Sequence, residues 1–198
     1  REDRRHIRDD DLINLKKVLD IPLNFEMAAT EEMVSFAEKV RPNAACIVPE
    51  NREELTTEGG LAVSGHEARL APLITRLKAV GIRVSLFVNA LSSELEASAS
   101  LGADIVELHT GPYSYANGAA RASHLALLRE GANFSDKCGL EVHAGHGLTY
   151  ENVSDIASIP QMVELNIGHF LIGVSVFSGL PDAISTMREL MENARKDS

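Results

Sequence analysis

The stretch EVHAGHGLTY, residues 141–150, carries two histidines three positions apart, His143 and His146. His146 stands between Gly145 and Gly147, and a glycine-flanked imidazole gains little packing, which favours a chemical role such as proton transfer. His143 lies within the preceding apolar run, where a hydrogen-bonded core histidine is the common finding. We therefore interpret His146 as a candidate acid–base residue and His143 as a residue of the interior.

Polar residues also stand near the ends of other apolar runs. Glu26 comes late in LNFEM, where a partly desolvated carboxyl is suited to act as a base; the alternative is a structural carboxylate paired with an arginine. Glu107 and His109 alternate in IVELHT, so they share one strand face and form either a chemical pair or a buried structural one. The loop TTEGGLAV offers Thr56 and Thr57 as ligand donors, or is a plain surface turn.

Two glycine-rich strand ends, AGHG and NIGH, predict a phosphate site. Glycines at 145, 147 and 168 let backbone N–H groups approach phosphate oxygens closely. The stretch HFLIGVSVFSG, residues 169–179, is typical of a short extra helix, and His169 stands at its start. The loops after the last two strands of a TIM barrel, with such a helix, are the usual phosphate site of that fold.

Two common kinds of site are not predicted, and two alternatives stay open. The six lysines all lie in predicted helices or tails, which argues against a Schiff-base enzyme. No GxGxxG motif opens a helix after a strand, which argues against a dinucleotide site. Glu107, His109, His143 and His146 could together hold a divalent metal ion, as in a metal-dependent phosphosugar epimerase. The other alternative is a non-enzymatic binding or scaffold subunit built on the same fold.

Six apolar runs of 7–9 residues predict the strands that position these side chains. The runs lie at 21–27, 44–50, 82–90, 103–111, 140–147 and 163–169. Helical patterns lie between and around them, at 9–19, 30–40, 65–81, 92–102, about 117–138, about 150–158 and 180–196. Strict alternation of strand and helix predicts a parallel sheet with right-handed crossovers.

The polarity of the strand faces favours a TIM (β/α)₈ barrel over an open doubly wound sheet. In four runs one face is apolar and the other polar, whereas an open sheet covered by helices should be apolar on both faces. A barrel has eight strands. We therefore predict one α/β domain over 1–198 that holds strands 3 to 8 of a TIM barrel, with the first two strands missing from the sequence. The charged start REDRRHIRDDDL, which has no Met, favours the same interpretation.

The composition of the chain argues against some classes of binding partner. The net charge of −10 argues against a nucleic-acid surface or an anionic membrane, although a small phosphorylated ligand needs only a few local donors. No run of 18 apolar residues predicts a membrane span. Cys46 and Cys138 are the only cysteines and form no CxxC pair, which predicts a reducing compartment such as the cytoplasm, with Cys46 buried.

Eight motifs in order carry a resemblance to a known family: REDRRHI, NFEMAATEEM, IVPE, TTEGGLAV, VSLFVNA, ELHTGPY, AGHGLTYENV and ELNIGHFLIG. Together they resemble pyridoxine 5′-phosphate synthase, of the deoxyxylulose-dependent route to vitamin B6. The resemblance implies a TIM barrel that condenses 1-deoxy-D-xylulose 5-phosphate with 3-amino-2-oxopropyl phosphate, releasing phosphate and water. It also implies no organic cofactor, no metal and a cytoplasmic homo-octamer.

The resemblance implies roles for individual residues as well. Glu26 is implied to accept a proton, Glu107 to stabilise cationic intermediates and His146 to donate a proton. The residues implied to contact the deoxyxylulose phosphate are Arg1, His6 and Thr56, and those implied to hold the aminooxopropyl phosphate are Gly147, Gly168 and His169. Family members begin earlier, so a catalytic histidine is expected ahead of REDRRH. Departures from the family pattern are the segment after ELHTG and His143, where asparagine is frequent.

Overall fold

The computed structural model describes residues 2–50, 54, 56 and 59–196. Its strands are β1 (Asn24–Ala28), β2 (Ala44–Val48), β3 (Arg83–Val88), β4 (Ile105–His109), β5 (Glu141–Gly145) and β6 (Met162–Asn166). Its helices are α1 (Asp9–Val18), α2 (Glu31–Val40), α3 (Glu67–Ala79), α4 (Ser92–Ser100), α5 (Gly111–Tyr115), α6 (Gly118–Lys137), α7 (Val153–Ala157), α8 (His169–Ser178) and α9 (Leu180–Lys196). All six predicted strands are confirmed, and each is shorter than the run that predicted it.

The strands form one sheet in the order β1-β2-β3-β4-β5-β6. Parallel pairing joins β1 to β2, β2 to β3 and β5 to β6. Consecutive order is the arrangement of a TIM-type barrel, whereas doubly wound sheets reorder their strands about a switch point. The predicted α/β class with a parallel sheet is therefore confirmed.

The register of the first three strands aligns a row of side chains. Glu26 pairs with Cys46, and Cys46 pairs with Ser85. Because in-register residues of a parallel sheet point to the same face, these three side chains share one face. Their neighbours Phe25 and Met27 point to the other face of β1 and are buried. The expected separation of a polar face from an apolar face is thus present in β1.

The chain divides into two compact units. The first holds residues 1–89 and 93–107, and the second holds residues 90–92 and 108–198. In the first unit, the apolar faces of α2 and α3 supply fully buried side chains such as Val34, Leu70 and Leu77. Full burial of each such side chain stabilises a fold by roughly 1.5–3 kcal/mol.

The second unit contains a helix that the sequence patterns did not predict. α5 spans only five residues, too few for a periodic pattern to be visible, and begins with Gly111 and Pro112. Proline suits the first turn of a helix, because that turn needs no N–H donor. Tyr113 of α5 is buried, and its hydroxyl lies 2.8 Å from Asn152 O and 3.0 Å from Asp155 Oδ2, the two acceptors that share its proton. These bonds tie α5 to the segment that leads into α7.

Among the described residues, no helix combines the length and the apolar character needed to cross a bilayer.

Candidate active site

The predicted site residues fall into two groups, one in each compact unit. The first unit contains a carboxylate group, formed by Glu26 and Glu107, with Cys46 as their common neighbour. The second unit contains an imidazole group, formed by His109 and His146 with the loop that follows β5.

Glu107 is the buried member of the carboxylate group. It is 6% exposed, and its Oε2 lies 3.5 Å from the Cys46 thiol, which donates a weak hydrogen bond to it. Burial raises the pKa of the Cys46 thiol well above its ordinary value, and the Glu107 carboxylate raises it further, while the Ser85 hydroxyl acts in the opposite direction. The thiol therefore stays protonated at neutral pH and remains a donor. The prediction that Cys46 is a buried small side chain is confirmed.

Glu26 has a different environment from Glu107. Its negative charge also raises the pKa of the Cys46 thiol, in agreement with their shared register. Glu26 is nevertheless exposed, so the expectation of a partly desolvated carboxyl is wrong. The physical reason is that Glu26 lies on β1, the first strand in the sheet order. Among the described strands, β1 has a neighbour on one side only, so less of the sheet covers its side chains.

The loop at Thr56 is anchored to the end of β3. The Asn89 side chain donates from Nδ2 to the Thr56 hydroxyl, and Thr56 N donates to Gly60 O at 2.8 Å. A Cβ at Gly60 would lie 2.7 Å from Asn89 N, so this close approach requires glycine. Thr56 is therefore held beside the carboxyl end of a strand. Thr57, the other predicted donor, lies outside the described residues.

His146 leads the imidazole group. β5 ends at Gly145, and His146 follows it with an exposed side chain and a φ of 85°. Non-glycine residues seldom adopt this left-handed region, and such strain is concentrated at functional sites. The prediction that His146 stands beyond the strand with little packing is confirmed.

Two rings contact the His146 imidazole. The His109 ring lies edge-on to it, with 5.1 Å between centroids, and the Tyr115 hydroxyl is 3.5 Å from His146 Nε2. Gly111 makes this arrangement sterically feasible, because a Cβ there would lie 2.5 Å from His109 Nε2 and 3.1 Å from His146 Cδ2. The tautomer of His146 decides whether Tyr115 donates to Nε2 or accepts from it.

Side chains at the N-cap positions of α5 and α7 hold the backbone around His146. The Thr110 hydroxyl lies 2.6 Å from Gly145 O and 2.7 Å from His146 O. Asn152 donates from Nδ2 to Gly147 O at 3.1 Å. Gly147 itself has a φ of 79°, and a Cβ there would lie 2.8 Å from the Ser114 side chain. Three consecutive carbonyls of this loop thus accept hydrogen bonds from side chains.

His143 lies in the interior, as predicted. It is 3% exposed, its Nε2 is 2.8 Å from Glu141 Oε1, and its Nδ1 is 3.6 Å from Glu164 Oε1. Among the described residues, no three His, Cys, Asp or Glu side chains group closely enough to hold a metal ion. The alternative of a metal-dependent epimerase built on His143, His146 and their neighbours is therefore not supported.

The remaining predicted residues lie at helix starts and in the N-terminal segment. Gly168 is the N-cap of α8 and His169 is its first residue, both exposed, which confirms the predicted helix start. The N-terminus of a helix offers unpaired N–H groups and a positive dipole end, which suit a phosphate. His6 is exposed in the segment before α1. Arg1 lies outside the described residues.

The sequence patterns missed several partners of these residues. Thr110 and Tyr115 were missed because α5 is too short to show a period, although the Gly-Pro pair at 111–112 signals a helix start. The contact between Cys46 and Glu107 joins residues 61 positions apart. Only strand register brings them together, so no local pattern could indicate it. Asn89 lies in the apolar run 82–90, and nothing in that run indicates that its side chain anchors Thr56.

Comparison with known proteins identifies the family of the chain. The model of the family described as "Pyridoxal phosphate biosynthesis protein PdxJ" matches residues 1–193. A relative from Xanthobacter autotrophicus named pyridoxine 5′-phosphate synthase is 57% identical over 98% of this chain and 77% of its own length. A relative of the same name from Zymomonas mobilis is 52% identical over 100% of this chain and 77% of its own length.

Solved structures with low sequence identity show a shared fold. A flavocytochrome b2 structure with sulfite bound matches 96% of this chain and 54% of its own, with a TM-score of 0.64 and 13% identity. A xylose isomerase domain protein from Planctomyces limnophilus matches 85% of this chain and 71% of its own, with a TM-score of 0.54 and 10% identity. These structures show the fold alone, whereas the more similar relatives carry the name pyridoxine 5′-phosphate synthase. The family model and these relatives together show that the chain belongs to the PdxJ family.

Proposed function

We propose that the protein makes pyridoxine 5′-phosphate from 1-deoxy-D-xylulose 5-phosphate and 3-amino-2-oxopropyl phosphate, with release of phosphate and water. Family membership supports the reaction, and one observation in the site carries it: an exposed imidazole, His146, held in a left-handed backbone conformation between two glycines. Strain of this kind persists only where the surroundings maintain it, and it is concentrated at functional sites.

The reaction needs several separately tuned acid–base groups. Imine formation, phosphate elimination, loss of water and a final proton shift each move a proton. We assign proton acceptance to Glu26, whose exposed carboxylate is accessible to a substrate, and proton donation to His146. Glu107 is suited to stabilise cationic intermediates, because a buried carboxylate acts in a low-dielectric setting where charge interactions are strong.

The two phosphates supply binding energy remote from the reacting carbons. We assign the aminooxopropyl phosphate to the loop after β5 and the start of α8, where glycines and a helix N-terminus offer N–H donors. The residues are Gly147, Gly168 and His169. We assign the deoxyxylulose phosphate to Arg1, His6 and Thr56, and the anchoring of Thr56 by Asn89 supports a fixed hydroxyl at that position.

Further properties of the family belong to the same proposal. The consecutive order of six parallel strands supports a complete (β/α)₈ barrel in which these are strands 3 to 8, as one domain. The proposed enzyme acts without an organic cofactor or a metal, on small phosphorylated substrates, as a cytoplasmic homo-octamer. Size-exclusion chromatography with light scattering measures the oligomeric state directly.

The test is an assay of the full-length protein with both substrates. Pyridoxine 5′-phosphate and inorganic phosphate should form in equal amounts, measured by liquid chromatography and by a phosphate assay. Glu107→Gln should lower kcat by roughly 10²-fold, since it removes one charge at the reacting centre. Glu96→Gln, an exposed glutamate of α4, is the matched control and should leave kcat unchanged. Absence of the product with wild-type protein would falsify the proposal.

A further inference from the structure

Thr110 follows β4 directly and is fully buried, with 0% exposure. It occupies the N-cap position of α5, where a threonine side chain ordinarily accepts a hydrogen bond from the first helical turn. α5 receives no such side-chain bond from it. The hydroxyl lies instead 2.6 Å from Gly145 O and 2.7 Å from His146 O. Thr110 therefore serves the loop after β5 and not the helix that it begins.

The two carbonyls that Thr110 contacts belong to the peptide units on either side of the His146 Cα. Each peptide unit is planar, so the directions of these two planes set φ and ψ of His146. The Thr110 backbone N–H adds a bond of 2.9 Å to Gly145 O. Thr110 thus holds both peptide planes that flank His146. The φ of 85° at His146 is unfavourable for any residue that has a Cβ.

We propose that Thr110 is a positioning residue for the proton transfer by His146. By fixing the left-handed backbone at His146, it sets the direction in which the imidazole leaves the chain, toward His109 and Tyr115. This inference rests on the proposed function, in which His146 donates a proton. Thr110 itself acts only through His146 and does not contact the reacting atoms.

Other hydrogen bonds to the same two carbonyls allow the Thr110 hydroxyl to be removed without unfolding the loop. If the Thr110 hydroxyl is removed, Gly145 O keeps the Thr110 N–H, and His146 O keeps the Ser114 hydroxyl at 3.3 Å. Thr110→Val preserves the shape of the buried side chain, so no cavity forms. The loop should then remain folded but lose its fixed orientation at His146.

The first experiment measures kcat, KM and the thermal midpoint of variants of the full-length protein. Thr110→Val should lower kcat by roughly ten- to hundredfold, because a displacement of about 1 Å costs that much at a reacting centre. Thr110→Ser keeps the hydroxyl and should therefore have most of the wild-type kcat. If Thr110 had a purely structural role, Thr110→Val would lower the thermal midpoint and leave the kcat of the folded protein unchanged. Ser123→Ala is the control, since its exposed hydroxyl donates to Ala119 O within α6 and should not affect kcat.

The second experiment combines the Thr110 change with His146→Ala. Thr110→Val should cause no further loss in the His146→Ala background, because its effect requires the imidazole. Wild-type kcat in Thr110→Val, or an equal loss in both backgrounds, would overturn the positioning role while leaving the proposed function intact. Normal turnover of His146→Ala alone would overturn the proton-donor role and with it the positioning role of Thr110, while the product formed would leave the proposed reaction standing. Absence of product with the wild-type protein would instead overturn the proposed reaction.

Discussion

His143 and His146 are three positions apart, yet they lie in opposite environments. His143 is inside β5, almost fully buried, and hydrogen-bonded to Glu141 of the same strand. His146 follows the strand end and is exposed, and its imidazole lies near the rings of His109 and Tyr115. The same type of side chain is thus buried in the interior at one position and exposed at the other.

The difference lies in what holds the backbone. At His143 the ladder to β6 fixes the chain, with His143 in register with Glu164, so the side chain must point to one face of the sheet. At His146 the ladder has ended, and the side chains of Thr110, Ser114 and Asn152 bind the carbonyls of the loop. Side-chain bonds of this kind can maintain a strained conformation that a regular strand does not contain.

The largest effect should come from His146→Ala. Positioned acid–base groups contribute roughly 10²–10⁴-fold to turnover, and we expect a loss of kcat in that range. The free energy of unfolding should remain close to that of wild type, because the imidazole is exposed. His124→Ala in α6 is the matched control and should behave like wild type in both measurements. A His146→Ala variant with near-normal kcat would contradict the proton-donor role.

A smaller effect, of a different kind, should come from His143→Ala. Loss of the buried ring and of its bond to Glu141 should lower the free energy of unfolding by about 1–3 kcal/mol, measured by urea denaturation. The kcat of the folded fraction should stay near the wild-type value. His143→Asn keeps a polar side chain and should lose less stability. If kcat fell while stability did not change, the two histidines would not differ as described.

The smallest effect should come from Tyr113→Phe, which weakens the support of the loop after β5. Burial raises the pKa of the Tyr113 phenol to about 12, and the Asp155 carboxylate adds to that shift. In the unfolded chain the phenol ionises near pH 10. The stability that the hydroxyl contributes is therefore complete below about pH 10 and is lost as the pH rises toward 12.

This prediction is checked by urea denaturation at a series of pH values. Wild type should exceed Tyr113→Phe by about 1 kcal/mol at pH 8, and the difference should shrink as the pH rises above about 10. Tyr115→Phe, a change of an exposed tyrosine in the same helix, is the control and should alter stability by no more than about 0.5 kcal/mol. A difference for Tyr113→Phe that grew with pH would reverse the sign and refute the assignment.

In the first unit, the two carboxylates Glu26 and Glu107 differ in burial as the two histidines do. Glu26 and Glu107 both occur in strands with alternating polar and apolar residues, and the alternation predicts that each lies on a polar face. The structure buries Glu107 against the Cys46 thiol and leaves Glu26 exposed. Alternation predicts the face on which a side chain lies, but it does not predict whether that face is covered.

The sequence by itself determined the order of the six strands and of every helix except α5, the parallel class of the sheet and the exposed position of His146 between its glycines. These properties are local, because periodicity, turn residues and neighbouring glycines act within a few positions of the chain. Only the tertiary structure decided that Thr110 binds the carbonyls around His146, that Cys46 donates to Glu107 and that Glu26 is exposed. Those contacts join residues 36 and 61 positions apart or depend on which strand stands at an edge, so register and packing create them.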